Sequence, residues 1–191
     1  MPSAVLIRFH SGDMMKLFAV TCLSMSILLF APESAFAQDA ADKQQIERGI
    51  ATFRTAIIDK DKDAFLKLFL NENIAWTGTT GDASIERIYA RRSDPTWARL
   101  PKNFSSNPRA FIDSIAKRTA RVDEIFSNVR IDSDGDVAQV WFDYSFNIGD
   151  YKQNWGKESR QMVRTGTGWK IAAVVWSQEF NPQPPPTQAA R

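Results

Sequence analysis

From Arg121 to Phe180 the chain is a succession of β-forming residues broken by two glycine turns, and this stretch limits the fold more than any other. Arg121 to Ile131 reads as a strand, and Asp132-Ser-Asp-Gly-Asp136 as a hairpin turn. Val137 to Phe146 is a second strand, and Asn147 to Gly156 a loop or wide hairpin. Lys157 to Thr165 then pairs with Trp169 to Phe180 across Thr165-Gly-Thr-Gly168. Such a meander is antiparallel and needs a cover for its apolar face.

The cover comes from the residues before it. Ile46, Ile50, Phe53 and Ile57 recur at helical spacing, which predicts a helix over roughly 42–58. Asp59-Lys-Asp-Lys-Asp63 is a charged turn that caps a second helix, with Phe65, Leu68 and Phe69 as its apolar face. Its Asp-x-Asp-x-Asp spacing suggests a calcium loop, but Ala64 stands where such a loop needs Gly and Leu70 where it needs Glu, so no metal is expected. A short strand, Asn73 to Thr77, follows. Residues 78–106 carry no readable pattern. Asn107-Pro108 then opens a further helix, with Ala110, Phe111 and Ile115 facing inward. Helices first and strands last make an α+β layout.

The two ends are expected to lie outside this domain. Lys16 precedes an apolar run from Leu17 to Ala31, and Ala35-Phe36-Ala37 has the small-x-small pattern of a secretory cleavage site. The run is short of the ~20 residues a membrane span needs. Residues 1–37 therefore read as a signal peptide, with the start at Met1, Met14 or Met15, and the remainder as secreted or periplasmic, without a transmembrane segment. Removal takes away His10 and Cys22, the only residues of their types, and with them disulfides, thiolate nucleophiles, Cys/His zinc sites and histidine acid–base work. No cofactor is implied. Residues 38–180 form the domain, and the Pro-rich 181–191 read as a disordered tail.

The order of elements resembles the nuclear transport factor 2-like superfamily, also called SnoaL-like or ketosteroid-isomerase-like. The likeness covers roughly Asp42 to Glu179. Its carriers are the helix pair ending at Asn73-Ile-Ala-Trp76, the strand entry Gly135-Asp-Val-Ala138, and the close Gly168-Trp-Lys-Ile171 with Trp176-Ser177. The resemblance implies a cone: N-terminal helices packed on a strongly bent, mostly antiparallel sheet that encloses a cavity. It implies no single activity, since isomerases, cyclases, dehydratases and hydrolases share that fold. The relevant branch often carries histidines in the last strand, where this chain has Ala172, Ala173, Val174 and Val175.

Strand alternation sorts the faces. Ala138, Val140, Phe142, Tyr144 and Phe146 form the better core-facing set, and Ile171, Ala173, Val175 and Ser177 match it on the last strand. Trp76, Phe142, Tyr144, Arg160, Ala173 and Ser177 are then the candidates for lining a cavity that holds a small apolar ligand, with Arg160 or Gln161 facing in according to register. Simple filling of the core explains the same residues. Trp141, Val174 and Trp176 fall on the outer face and suggest a homodimer interface, against a monomer whose aromatics are covered by loops and tail.

Ketosteroid isomerases join an Asp base to a Tyr donor, which directs attention to Asp143, Glu158 and Glu179. Asp143 and Tyr144 are neighbours on a strand and cannot share a cavity. Nine bases against three acids lie between Glu86 and Arg121, and Arg91 and Arg92 are the anion-binding candidates, against a solvated surface. Nucleic acid is not expected without an aromatic-basic groove. Three readings remain: an exported ligand-binding or accessory domain; a cofactor-free isomerase, lyase or hydrolase for a small hydrophobic substrate; and an envelope interaction module.

Overall fold

The computed structural model describes residues 32–185, and side chains over 39–185. Its contacts divide the chain into two units, Met1–Ala37 and Gln38–Arg191, and the second holds the sheet and the core. The apolar run, His10, Cys22 and residues 186–191 lie outside the described residues.

The long first helix, α1 (Pro32–Asp59), buries Ile46, Phe53 and Ile57, the residues whose spacing predicts it. The short α2 (Lys62–Leu66) is capped by the Asp61 side chain, which accepts from the Ala64 amide at 2.9 Å. Strand β1 (Ala75–Thr80) comes next. The unread segment resolves into α3 (Asp82–Ala90) and a three-residue edge strand, β2 (Asn103–Ser105). In α4 (Pro108–Ala116), Asn107 caps as expected, accepting from the Ala110 amide at 2.8 Å. Four long strands close the chain: β3 (Val122–Ser133), β4 (Val137–Ile148), β5 (Tyr151–Thr165) and β6 (Gly168–Phe180).

The sheet order is β2-β1-β6-β5-β4-β3. Only β1 against β6 is parallel; the other pairs are antiparallel. Register breaks in β3–β4, β4–β5 and β5–β6 bend it, because an extra residue kinks the strand that carries it. The concave face packs Ala138, Val140, Phe142 and Tyr144 against α1, α2 and α4, as the alternation of β4 predicts.

Three expectations are corrected. Asn147 to Gly156 is a hairpin, but a tight one rather than a loop or wide turn: the strands turn at Gly149, whose φ of 57° suits a residue without a side chain, and β5 begins at Tyr151. The tail is not free from residue 181. Asn181 donates its amide to the Gln153 carbonyl at 2.9 Å, and Tyr151 donates its hydroxyl to the Gln183 carbonyl at 2.8 Å.

The third correction concerns the faces of β6. Met162 pairs with Ile171 but Gln161 pairs with Ala173, so Ala172 is an extra residue. Alternation shifts by one there. Trp169 and Ile171 face inward before it, Val174 and Trp176 after it. Ala173, Val175 and Ser177 thus lose the inner positions assigned to them, and Val174 and Trp176 leave the outer face. Val174 is 1% exposed, and Val175 is 51% exposed. In the same sheet Arg160 turns inward and Gln161 outward.

Candidate functional site

Alternation on four adjacent strands places one polar row beside an aromatic one. On the concave face, β4 directs Phe142, Tyr144 and Phe146 inward. The pairing register sets Glu124 of β3 opposite Phe146 and Glu158 of β5 opposite Phe142. Both carboxyls therefore lie diagonal to Tyr144, one on each neighbouring strand, at the spacing long side chains bridge. Opposite Tyr144 on β5 stands Gly156, where any side chain would collide with the Ser177 carbonyl. That gap lets the Tyr144 hydroxyl cross β5 and donate to Ser177 O at 2.9 Å. Gly78 does the same at the rim, since a side chain there would occupy the Phe104 ring position.

These residues enclose a cavity of about 270 Å³. Its walls are aromatic: Phe53, Trp76, Phe104, Phe111, Phe146, Trp176 and Phe180. Trp176 touches Trp76 and Phe104 edge to face, with centroids 5.6 and 5.5 Å apart. Its polar groups are Arg118, Glu124, Tyr144, Gln153, Asn154, Glu158 and Gln178. Glu124, Tyr144, Asn154 and Glu158 are buried and make the floor, whereas Phe104, Arg118, Gln153 and Phe180 are half-buried and make the rim.

The floor is electrostatically loaded. Arg160 is 1% exposed and donates Nε to Glu158 Oε1 at 2.6 Å. Its guanidinium is stacked 3.8 Å from the Phe53 centroid, with Phe142 and Phe126 at 4.8 and 5.1 Å. Two buried polar atoms here have no hydrogen-bond partner among the described residues, Arg160 Nη2 and Glu124 Oε2. Burial pushes the Glu124 carboxyl well above the usual carboxylate range, and the Glu158 charge pushes it further. Burial also raises Glu158, but Arg160's charge and hydrogen bond oppose the rise. Burial therefore favours the protonated form of Glu124, while Arg160 favours the ionised form of Glu158. Burial and the same two carboxyls push the Tyr144 phenol up as well. With its hydroxyl proton engaged by Ser177, Tyr144 offers a ligand an acceptor, while Glu124 offers a proton and Glu158 takes one.

The sequence candidates scatter around this site. Trp76 and Tyr144 line the cavity, and Arg160 and Phe142 sit behind the floor. Trp176, assigned to a dimer face, is a cavity wall, and Val174 is core. Ala173 and Ser177 point to the other face; the Ser177 hydroxyl accepts from the Lys157 amide at 3.1 Å. Trp141 stays on the convex face, in one cross-strand row with Ser159 and Val175. Arg91 donates to the Pro182 carbonyl, and Arg92 donates to the Tyr89 carbonyl at 2.7 Å and stacks on its ring. Asp143 is spent on Lys157 and Asn128 outside the cavity.

Glu124 escaped the sequence reading. Its signal was available: Val122, Glu124 and Phe126 share one parity at the start of β3, so an acid occupied a position whose neighbours on that face are core.

No protein-family model matches the chain, and no curated protein matches it. Solved structures do share its fold. A nuclear transport factor 2-like protein of unknown function from Pseudomonas putida superposes with a TM-score of 0.51 at 15% identity, covering 75% of this chain and 89% of its own. One from Novosphingobium aromaticivorans, described as having a cystatin-like fold, gives 0.53 at 12% identity, covering 75% and 86%. A protein of that organism provisionally named scytalone dehydratase gives 0.56 at 11% identity, covering 79% and 93%. The fold is the nuclear transport factor 2-like one, and at these identities the likeness speaks of fold alone.

Proposed function

We propose that this chain is an exported acid–base enzyme of the isomerase or lyase kind, acting on a small, flat, hydrophobic substrate without help from a cofactor. One observation carries the reading. Two carboxyls from different strands are buried on an aromatic cavity floor, Glu158 clamped by Arg160 and Glu124 with Oε2 unpartnered. Burying an under-satisfied carboxyl costs stability, and such groups gather where chemistry needs them. In this mechanism Glu158 removes a proton from carbon next to a carbonyl or leaving group. Glu124 delivers its own proton to the oxygen, and the aromatic walls exclude water.

The test is deuterium wash-in from D₂O to methyl ketones bearing one or two fused rings, followed by mass spectrometry. Glu158→Gln should slow exchange by about 10²-fold or more, the usual contribution of a general base. Binding without exchange by the wild type, or exchange untouched in both Glu124→Gln and Glu158→Gln, leaves the alternative: a binding or accessory domain. The engagement of the Tyr144 proton by a backbone carbonyl favours that second reading, since it removes one donor from the reaction.

Export rests on the apolar run and small-residue pattern before Gln38. No helix among the described residues is long and apolar enough to cross a membrane. The intact mass of the protein recovered from the producing cell reads cleavage directly, and retention of residues 1–37 refutes it. Self-association moves to a revised patch. Ile125 and Val175, 43% and 51% exposed, share the convex face with Trp141 and Trp155.

A further inference from the structure

We infer that the cavity's ligand is an aromatic acid, its ring between the aromatic walls and its carboxylate on Arg118 at the rim. The inference rests on the reading of the cavity as a site for a flat hydrophobic ligand, and adds the ligand's charge and its orientation.

Arg118 stands apart from its own segment. Between Glu86 and Arg121 the excess of bases promises anion binding, yet the structure spends most of those cations internally. Arg99 pairs with Glu86, Lys102 with Asp82, and Arg109 with Glu72. Arg87 holds Ser84, Glu179 and the Phe180 carbonyl, and Arg91 and Arg92 hold backbone carbonyls. Arg118 lines the cavity, and its guanidinium has no ion pair or hydrogen bond among the described residues. Its backbone is fixed nonetheless. The Arg118 amide donates to the Ile115 carbonyl at 3.0 Å, and its carbonyl accepts from Lys60 Nζ. The main chain is held where α4 ends, and the five guanidinium donors are left for something else.

The aromatic walls say what the rest of that ligand is. A half-buried arginine in the lining of an apolar wall is suited to a planar anion, because a guanidinium binds a carboxylate with two parallel hydrogen bonds and stacks on flat groups. The floor does not oppose this: Arg160 matches the charge of Glu158, and burial favours the neutral form of Glu124. Ring and carboxylate thus have separate places, and the ring edge away from the carboxylate meets Glu124 and Glu158.

The experiment compares naphthalene-2-carboxylate with naphthalene-2-carboxamide, equal in shape and unequal in charge, by quenching of the fluorescence of Trp76 and Trp176. The wild type should prefer the carboxylate about tenfold, as expected for one charge-assisted pair. Added salt should narrow that preference. Arg118→Gln should abolish it, weakening carboxylate binding far more than carboxamide binding, and Arg118→Lys should restore part of it. Equal binding of the two probes by the wild type overturns the inference, as does a preference that survives Arg118→Gln. So does a preference lost only in Arg91→Gln, which would move the anion to the arginine beside Pro182. If only the carboxamide binds, the cavity reading stands and this inference alone fails; if neither probe binds, both fail.

Discussion

Arg160 and Arg164 leave the same strand four residues apart, each reaching a buried carboxylate, and they are built to opposite standards. Arg164 forks both terminal nitrogens onto Asp42 at 2.6 and 3.3 Å, and also donates to the Gly135 carbonyl at 3.2 Å. Trp169 adds its indole proton to Asp42 at 3.3 Å. This pair ties α1 to the β3–β4 turn and to β6, and its arginine side chain is 34% exposed. Arg160, whose side chain is 1% exposed, makes one bond to Glu158 and keeps Nη2 unpaired, as Glu124 Oε2 is on the same floor. A pair whose bonding capacity is filled is a structural joint. A pair left short of partners deeper in the molecule gives up stability, and the cavity above it is where that loss is repaid.

The contrast can be broken by measurement. The largest effect belongs to Arg160→Ala, which strands two carboxyls and empties a site between three phenylalanine rings. Urea unfolding should show a loss of about 3–5 kcal/mol, against about 1–3 for Arg164→Ala, whose partner keeps Trp169. Equal losses would erase the distinction between joint and site. Next comes the double variant Arg160→Met/Glu158→Met, which should recover most of what Arg160→Ala loses, because a buried ion pair is replaceable by apolar side chains of similar volume. A double variant as unstable as the single one would show that the pair holds the fold.

A smaller effect sharpens the charge assignment. Carboxyls whose pKa values are raised in the folded state bind more protons there than in the unfolded chain. Their contribution to stability is therefore full below the ordinary carboxylate range, and is lost as pH rises through the raised values. Glu124→Gln cancels that loss. Its melting temperature should exceed the wild type's by about 2–4 °C per kcal/mol recovered at neutral pH and match it near pH 4. A difference that is constant with pH would mean that Glu124 carries no proton of interest. The smallest effect on stability, within about 0.5 kcal/mol, is expected for Trp141→Glu on the convex face. Light scattering should show it as a monomer beside a dimeric wild type, and a monomeric wild type ends the dimer reading.

How much the sequence made legible depends on which forces are local. The α1 periodicity, the Asn107 cap and the inward parity of β4 depend on neighbours in the chain, and each stands as read. Residues 147–156 were misread because Asn154 faces inward among apolar groups, which breaks the alternation that marks a strand. The cavity walls were half read. Trp76 and Tyr144 precede the irregularity in β6, while Trp176 comes after it, and nothing local in Ala172-Ala173 signals an extra residue. Arg118 was one cation among nine, and only its place in the cavity lining and the tertiary pairing of most of the others set it apart.

That extra residue in β6 also decides which pairings of the hairpin keep its apolar side inward. A regular hairpin of β5 and β6 could slide by two residues and keep its apolar side inward, a misfolding route open to long strands. Here the half with Trp169 and Ile171 and the half with Val174 and Trp176 are out of phase by one. A pairing that lacked the bulge would keep one half inward and turn the apolar side of the other outward. The same defect that hides the cavity from the sequence thus brings two apolar runs of opposite parity onto one face of the sheet.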